Sequence, residues 1–162
     1  MDDDTRLLRD RVEIDDLLTR YATAIDGRAW DLLDTVFTPD ARLDYRGAGG
    51  IEGPYPEVRA WLSEVLPMFD VTQHLVLNRV VAVDGDTARA RSAFSNPNRI
   101  TVDGASRLFT VGGYYHDELV RTPDGWRIRH RMEETSWWEG TFPGLPDEPP
   151  PPPEPPPPPP RT

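Results

Sequence analysis

Two residues that lie far apart in the sequence have the side chains needed to move a proton. His74 is one of only three histidines, and a neutral imidazole is the side chain best suited to accept a proton near neutral pH. Asp26 lies at the predicted end of the first helix, just before Gly27, where its carboxylate could hold one imidazole nitrogen. The alternatives are a core histidine with one satisfied hydrogen bond and a polar helix terminus.

Two tyrosines are candidates for stabilising the charge that such a proton transfer creates. Tyr21 precedes Asp26 by five residues on the same predicted helix, and Tyr45 ends a predicted short strand. A phenol can donate a hydrogen bond to a developing enolate oxygen or protonate a departing hydroxyl. For both tyrosines the alternative is packing, with the hydroxyl in water.

The composition argues against several other kinds of chemistry. The chain of 162 residues has no cysteine and no lysine, which excludes thiol nucleophiles, thiolate metal sites and Schiff bases. Three histidines among scattered carboxylates form no metal motif, and no glycine-rich nucleotide loop follows a strand. We therefore predict neither a metal nor a cofactor.

The charge and the hydropathy pattern limit the partners. The formal net charge of -10 argues against nucleic acid. No apolar run approaches the ~18 residues of a membrane helix, and the acidic N-terminus is not a secretory signal. We therefore expect a cytoplasmic protein whose partner is neither nucleic acid nor a membrane.

The predicted elements begin with helices and end with long strands. Apolar residues recur at helical spacing over 5–25, from Arg28 to before Pro39, and over 54–69. Strand patterns cover 41–45, 74–83, 88–94, 108–121 and 126–138. This order predicts an α+β fold in which N-terminal helices pack on a curved, mostly antiparallel sheet that encloses a pocket. Residues 1–142 form the predicted domain, and residues 143–162 a proline-rich disordered tail.

Three segments together resemble a known family. They are TRYATAIDGRAWDLLDTVFTPDARLDY, then TQH, then GGYYHDELVRTPDGWRI. Over roughly residues 8–139 the chain resembles the SnoaL-like branch of the nuclear-transport-factor-2-like superfamily. Its motifs are most similar to those of scytalone dehydratase, bile-acid 7α-dehydratase and lindane dehydrochlorinase. The resemblance implies a cone-shaped α+β barrel and, as in many relatives, a homodimer or homotrimer.

The resemblance also implies roles for particular residues. His74 matches the general base of the dehydratases, and Asp26 its partner in an Asp–His pair. Tyr21 and Tyr45 match functional tyrosines, whereas Ile25 replaces the tyrosine beside the aspartate of scytalone dehydratase. This departure argues against scytalone itself as the substrate.

Four further residues are assigned to substrate binding. Asn96 and Asn98 stand where the related dehydratases place an ionisable residue, although Asn-Pro-Asn is also a good turn that would break its strand. An amide can orient a substrate oxygen but cannot relay a proton. Tyr115 and Trp61 complete the set, and sequence leaves open which alternating residues of the Tyr115 strand face the pocket.

Two functions follow from these residues and the resemblance. The first is a cofactor-independent lyase (dehydratase) or isomerase that acts on a small hydrophobic alicyclic or aromatic compound, polyketide- or steroid-like, through a His–Asp base. The alternative is a non-catalytic small-molecule-binding or assembly module of the same fold.

In the segment RIRHR, Arg127, Arg129 and Arg131 share one predicted face, either solvated or paired with the acidic helices.

Overall fold

The computed structural model describes residues 3–142 together with residues 149 and 151. Helix α1 spans Asp3–Asp26, as the apolar spacing predicts, and is followed by α2 (Trp30–Leu33) and α3 (Tyr55–Val65). Two short 3-10 helices cover Arg46–Ala48 and Leu66–Met68. The predicted proline-rich tail lies outside the described residues, apart from residues 149 and 151.

Within the described residues, seven strands form one mixed, mostly antiparallel sheet. They are β1 (Phe37–Asp44), β2 (Glu52–Pro54), β3 (Val71–Thr72), β4 (Leu75–Asp84), β5 (Thr87–Val102), β6 (Ala105–Thr122) and β7 (Gly125–Glu139). The strand order is β2-β1-β7-β6-β5-β3, with β4 also paired to β5. The β1–β7 pair is parallel, and the other pairs are antiparallel. The helices and the inner face of the sheet together give the predicted cone-shaped α+β fold.

The core lies between the apolar stripe of α1 and the inner face of the sheet. Alternate residues of β5 are buried, as expected for a strand with one covered face. On α1 the buried apolar residues recur at three- and four-residue spacing, which places them on one side of the helix. They are Ile14, Leu17, Leu18, Tyr21, Ala24 and Ile25.

The second predicted helix is much shorter than the sequence suggests. Only Trp30–Leu33 is helical, and strand β1 begins at Phe37 and runs through Pro39. A register shift between Phe37 and Arg42 interrupts the pairing of β1 with β7. Pro39 falls within this irregular stretch, where the missing N–H costs no ladder hydrogen bond.

The Asn-Pro-Asn segment is not the turn that we predicted, because it lies inside strand β5. Asn96, Pro97 and Asn98 pair with residues 111, 110 and 109 of β6. The Pro97 carbonyl accepts a hydrogen bond from Gln73 N at 3.2 Å, on the side away from β6. The N and O atoms of one strand residue point to the same side, so the missing N–H of Pro97 takes nothing from the β5–β6 ladder.

The predicted alternation of the β7 arginines is also wrong. Ile128 and Arg131 are both 0% exposed, whereas Arg129 and His130 are exposed. Leu119 pairs with Ile128 and Glu118 with His130, so the chain bulges at Arg129. One extra residue reverses the inward and outward positions of everything that follows in the strand.

Candidate active site

A cavity of about 310 Å³ lies between the C-terminal end of α1, helix α3 and the inner face of the sheet. Its wall is mostly apolar and aromatic, and the polar side chains that reach it are few. The aromatic wall residues are Trp61, Phe69, Phe109 and Phe142, and the polar ones are Tyr21, Tyr45, His74, Asn96, Asn98 and Glu133. A largely apolar cavity with a few converging polar groups is the usual form of a small-molecule site.

The structure brings His74 and Asp26 into direct contact. His74 Nδ1 lies 2.7 Å from Asp26 Oδ1, and the His74 backbone N–H donates to Asp26 Oδ2 at 2.8 Å. Burial alone would raise the pKa of the Asp26 carboxyl, but the hydrogen bonds from the His74 ring and backbone outweigh it and lower that pKa. The ionised carboxylate therefore holds the imidazole in one orientation, with Nε2 as the ring nitrogen that Asp26 does not engage.

Local structure explains how the helix end meets His74. Helix α1 ends at Asp26, and Arg28, two residues later, adopts a positive φ of 50° with which the helix cannot continue. The Arg28 guanidinium donates to the carbonyl oxygens of Leu66 and Phe69, at 3.0 and 2.7 Å. These bonds tie the helix end to the segment that leads into His74.

Tyr21 and Tyr45 both line the cavity, and their hydroxyl oxygens lie 3.2 Å apart. The rings of Tyr21 and His74 form an edge-to-face contact, with 6.0 Å between the ring centroids. Burial raises the pKa of both phenols above its ordinary value. Both hydroxyls therefore stay protonated at neutral pH and can act as hydrogen-bond donors.

The four predicted substrate-binding residues divide into two groups. Trp61, Asn96 and Asn98 line the cavity, whereas Tyr115 is not among its lining residues in the described part of the chain. Tyr115 is 0% exposed, stacks on Phe94 with 4.4 Å between ring centroids, and accepts a hydrogen bond from Asn96 Nδ2 at 3.0 Å. Tyr115 thus supports Asn96 and is not itself part of the wall.

Asn96 keeps an unused hydrogen-bonding atom at the cavity. Its side-chain nitrogen is engaged by Tyr115, and its backbone oxygen accepts from Asn98 Nδ2 at 2.9 Å. Its side-chain oxygen Oδ1 is buried without a partner among the described residues. Such an orphan acceptor costs free energy unless a bound molecule supplies a donor.

Glu133 is a cavity residue that sequence reasoning missed. It lies on β7 with only 6% of its surface exposed. Burial raises the pKa of its carboxyl to about 8, although the charge of Arg131 acts in the opposite direction. No motif marks this glutamate, because its inward position depends on the bulge at Arg129.

A buried ion pair lies beside the tyrosines. Arg131 and Asp117 are joined by two parallel hydrogen bonds of 2.7 and 2.8 Å, with both side chains 0% exposed. The guanidinium carbon lies 4.0 Å from the centroid of the Tyr21 ring and 4.3 Å from that of Tyr115. This bidentate geometry commits the arginine to Asp117 and fixes the two aromatic rings.

Among the described residues, no group of three or more His, Cys, Asp or Glu side chains is arranged to hold a metal ion. Within the same part of the chain, no helix has the length and apolar character to cross a membrane.

Comparison with known proteins identifies the family. Residues 6–132 match the SnoaL-like domain, and the chain belongs to this family of the NTF2-like superfamily. It is 52% identical over 126 residues to the uncharacterized protein Rv2910c of Mycobacterium tuberculosis and to Mb2934c of Mycobacterium bovis. Each alignment covers 78% of this chain and 85% of the relative.

Solved structures confirm the fold. A proposed aromatic ring hydroxylase from Novosphingobium aromaticivorans is 30% identical, with a TM-score of 0.75, over 83% of this chain and 94% of that one. A hexachlorocyclohexane dehydrochlorinase (TM-score 0.74, covering 88% and 99%) and a proposed scytalone dehydratase from N. aromaticivorans (0.73, covering 86% and 91%) are each 21% identical. The predicted family and cone-shaped fold are thus confirmed, with dehydratase and dehydrochlorinase among the structural neighbours.

Proposed function

We propose that this protein is a cofactor-independent lyase or isomerase that removes a proton from a carbon next to a carbonyl group. One observation carries the proposal: His74 lines the cavity, and its Nδ1 lies 2.7 Å from Asp26 Oδ1. A histidine that is held by a carboxylate on one side and adjoins a pocket on the other is the usual arrangement of a general base.

His74 and Asp26 have different roles in the proposed proton abstraction. The ionised Asp26 accepts the Nδ1–H of His74, which leaves the lone pair on Nε2 to take the substrate proton. Asp26 then stabilises the imidazolium that forms, without taking the proton itself. The cost of a carboxylate at the end of α1 is offset by its two hydrogen bonds with His74.

The tyrosines act on the oxygen of the substrate. Removing the proton pushes charge onto the carbonyl oxygen, and a preorganised donor stabilises that charge most when water is excluded. Tyr21 and Tyr45 provide two protonated hydroxyls in one place, 3.2 Å apart, at the cavity wall. We assign them the stabilisation of the enolate.

The size and lining of the cavity support a small hydrophobic substrate. About 310 Å³ bounded by Trp61, Phe109 and Phe142 suits one or two carbon rings. We propose an alicyclic or aromatic ketone, polyketide- or steroid-like, as the substrate class.

Exchange of α-protons tests the base without requiring a leaving group. β-Tetralone, a bicyclic aromatic ketone, is incubated with the protein in deuterium oxide, and deuterium uptake is followed by NMR. We expect the wild-type protein to accelerate uptake and His74→Ala to abolish the acceleration. Equal rates for the two proteins would overturn the proposed base.

The alternative is a binding module without catalysis, and the amides of Asn96 and Asn98 favour it because they cannot relay a proton. This function predicts saturable binding of β-tetralone that survives His74→Ala, with no isotope exchange in either protein. Calorimetry together with the NMR experiment distinguishes the two functions.

A further inference from the structure

We propose that Glu133 is a second catalytic residue of this cavity, the proton donor to a departing hydroxyl group, so that the substrate is a β-hydroxy carbonyl compound and the reaction eliminates water. This inference rests on the proposed role of His74 as the base. It adds an acid to that base and specifies the group that leaves.

The position of Glu133 supports the role. Glu133 and His74 line the same cavity from different elements, since Glu133 lies on β7 and His74 just before β4. The bulge at Arg129 turns Glu133 to the inner face, in register with Tyr115 of β6. An acid and a base on separate elements around one cavity can act on two atoms of the same substrate.

The surroundings of Glu133 favour its neutral form. Among the described residues, the cation that acts on its carboxyl is Arg131, which is already bound by Asp117 through two hydrogen bonds. Asp44 of β1 adds a like charge. Within the described residues, Thr135 Oγ1 is the hydrogen-bond donor to its carboxyl, at a long 3.4 Å.

Three phenols also interact with Glu133 and are uncharged at neutral pH. They are the phenols of Tyr21 on α1, Tyr45 after β1 and Tyr115 on β6, each with a pKa raised first of all by burial. A buried carboxyl without a free cation keeps its proton, consistent with its pKa of about 8. At neutral pH Glu133 therefore carries a proton that it can donate.

Asn96 provides an independent indication of a hydroxylated ligand. Asn96 lines the cavity and is 6% exposed, and its Oδ1 atom is buried without a donor among the described residues. This atom can accept a hydrogen bond but cannot donate one. A substrate hydroxyl satisfies it, whereas a halide or a ketone oxygen does not.

The elimination balances with these two residues alone. Nε2 of His74 takes the α-proton, and the electrons of the C–H bond form the new C=C bond. The C–O bond to the β-carbon breaks, and the departing oxygen takes the proton of Glu133 and leaves as water. The resulting imidazolium returns its proton to the Glu133 carboxylate through solvent, so no oxidant or co-reactant is consumed.

A comparison of two leaving groups tests this role. The probes are the aldol adduct of benzaldehyde and acetone, which is a β-hydroxy ketone, and its O-acetyl ester. Both eliminate to the same conjugated enone, which is followed by ultraviolet absorbance. Hydroxide needs a proton in order to leave, whereas acetate leaves as a stable anion.

We expect Glu133→Gln to slow elimination from the hydroxy ketone ~10²-fold, the scale of general acid catalysis, and to leave elimination from the ester unchanged. His74→Ala should slow both. Glu134→Gln, at the adjacent position on the opposite face of β7, is the matched control and should slow neither. Equal slowing of both compounds by Glu133→Gln, or slowing of neither, would overturn the acid role.

Failure of the proposed base has a different signature. If the wild-type protein eliminates neither compound and exchanges no α-protons of β-tetralone, the base is wrong and the acid role falls with it. Exchange that depends on His74, without a selective effect of Glu133→Gln, keeps the base and rejects the acid.

Infrared spectroscopy examines the carboxyl itself, without any substrate. The wild-type spectrum at neutral pH should contain a protonated-carboxyl C=O band that Glu133→Gln removes and Glu134→Gln retains. A wild-type spectrum at neutral pH without such a band would mean that Glu133 is ionised and cannot be the acid.

Discussion

Two histidine–carboxylate pairs occur in the described part of this chain, and their contact distances are the same. His74 Nδ1 lies 2.7 Å from Asp26, and His116 Nε2 lies 2.7 Å from Glu134. The two histidines are also similarly buried, with 11% and 7% of their side chains exposed. Neither distance nor burial therefore distinguishes a catalytic pair from a structural one.

The two pairs differ in what lies next to them. His74 adjoins the cavity, with the protonated Tyr21 at its ring. His116 follows the inward-facing Tyr115 on β6 and so points to the outer face, where it bridges to Glu134 on β7. The outer pair joins two strands, whereas the inner pair holds the proposed base beside a cavity.

Removing each histidine gives the largest expected difference between the pairs. His74→Ala should reduce turnover ~10³-fold or more, the contribution of a positioned general base, while His116→Ala leaves turnover at the wild-type level. The elimination assay measures both variants, and circular dichroism checks that each is folded. A comparable loss of turnover in His116→Ala would contradict the assignment of the active pair.

Replacing the carboxylates should give a smaller difference. Asp26→Asn keeps the shape of the side chain but can hold the imidazole in the wrong tautomer, so we expect turnover to fall ~10²-fold. Glu134→Gln is the matched change in the outer pair and should leave turnover unchanged. An Asp26→Asn variant with wild-type turnover would show that His74 does not depend on its partner.

The pH dependence of stability distinguishes neighbouring glutamates on the two faces. The pKa of Glu133 is raised to about 8 in the folded state. Below that pH the native protein keeps a proton that the unfolded chain has already released. The free energy of unfolding therefore falls as the pH rises toward 8. Between about pH 5.5 and pH 7 the wild-type free energy of unfolding should therefore fall by ~2 kcal/mol relative to Glu133→Gln. Urea unfolding at several pH values measures this difference. Parallel profiles for the two proteins would contradict a protonated Glu133.

Breaking the outer pair should have the smallest effect. His116→Ala removes one partly buried cross-strand hydrogen bond, and we expect a loss of about 1 kcal/mol of stability. A double-mutant cycle with Glu134→Gln measures the coupling between the two side chains. Zero coupling energy would mean that the outer pair makes no net contribution.

The positions of both residues of the inner pair could be predicted from the sequence. The apolar spacing of α1 placed Asp26 at a helix end, and His74 stood at the start of an apolar strand, so two local patterns located both residues. The family resemblance then suggested that they meet, and they do. The prediction of a turn at Asn-Pro-Asn was wrong because the N–H that Pro97 lacks would point away from the β5–β6 ladder, which local propensity cannot show.

Glu133 could not be predicted because its direction depends on a register shift. Strict alternation through RIRHR would put Arg131 beside Arg129 on one face, yet Arg129 is exposed and Arg131 is fully buried. The sequence around Arg129 has neither glycine nor proline to mark a bulge. Only the pairing of β7 with its neighbour β6 reveals it.

The bulge at Arg129 makes the interior of this protein sensitive to strand length. Deleting Arg129 itself would remove the bulge and leave Arg131 and Glu133 facing inward, whereas deleting Met132 would turn the Glu133 side chain to the outer surface. Insertions and deletions are usually tolerated in loops, but here a change of one residue within a strand would exchange an enclosed acid for a solvent-facing one. In this fold, the count of residues between the bulge and Glu133 is therefore as much a part of the cavity chemistry as the identities of those residues.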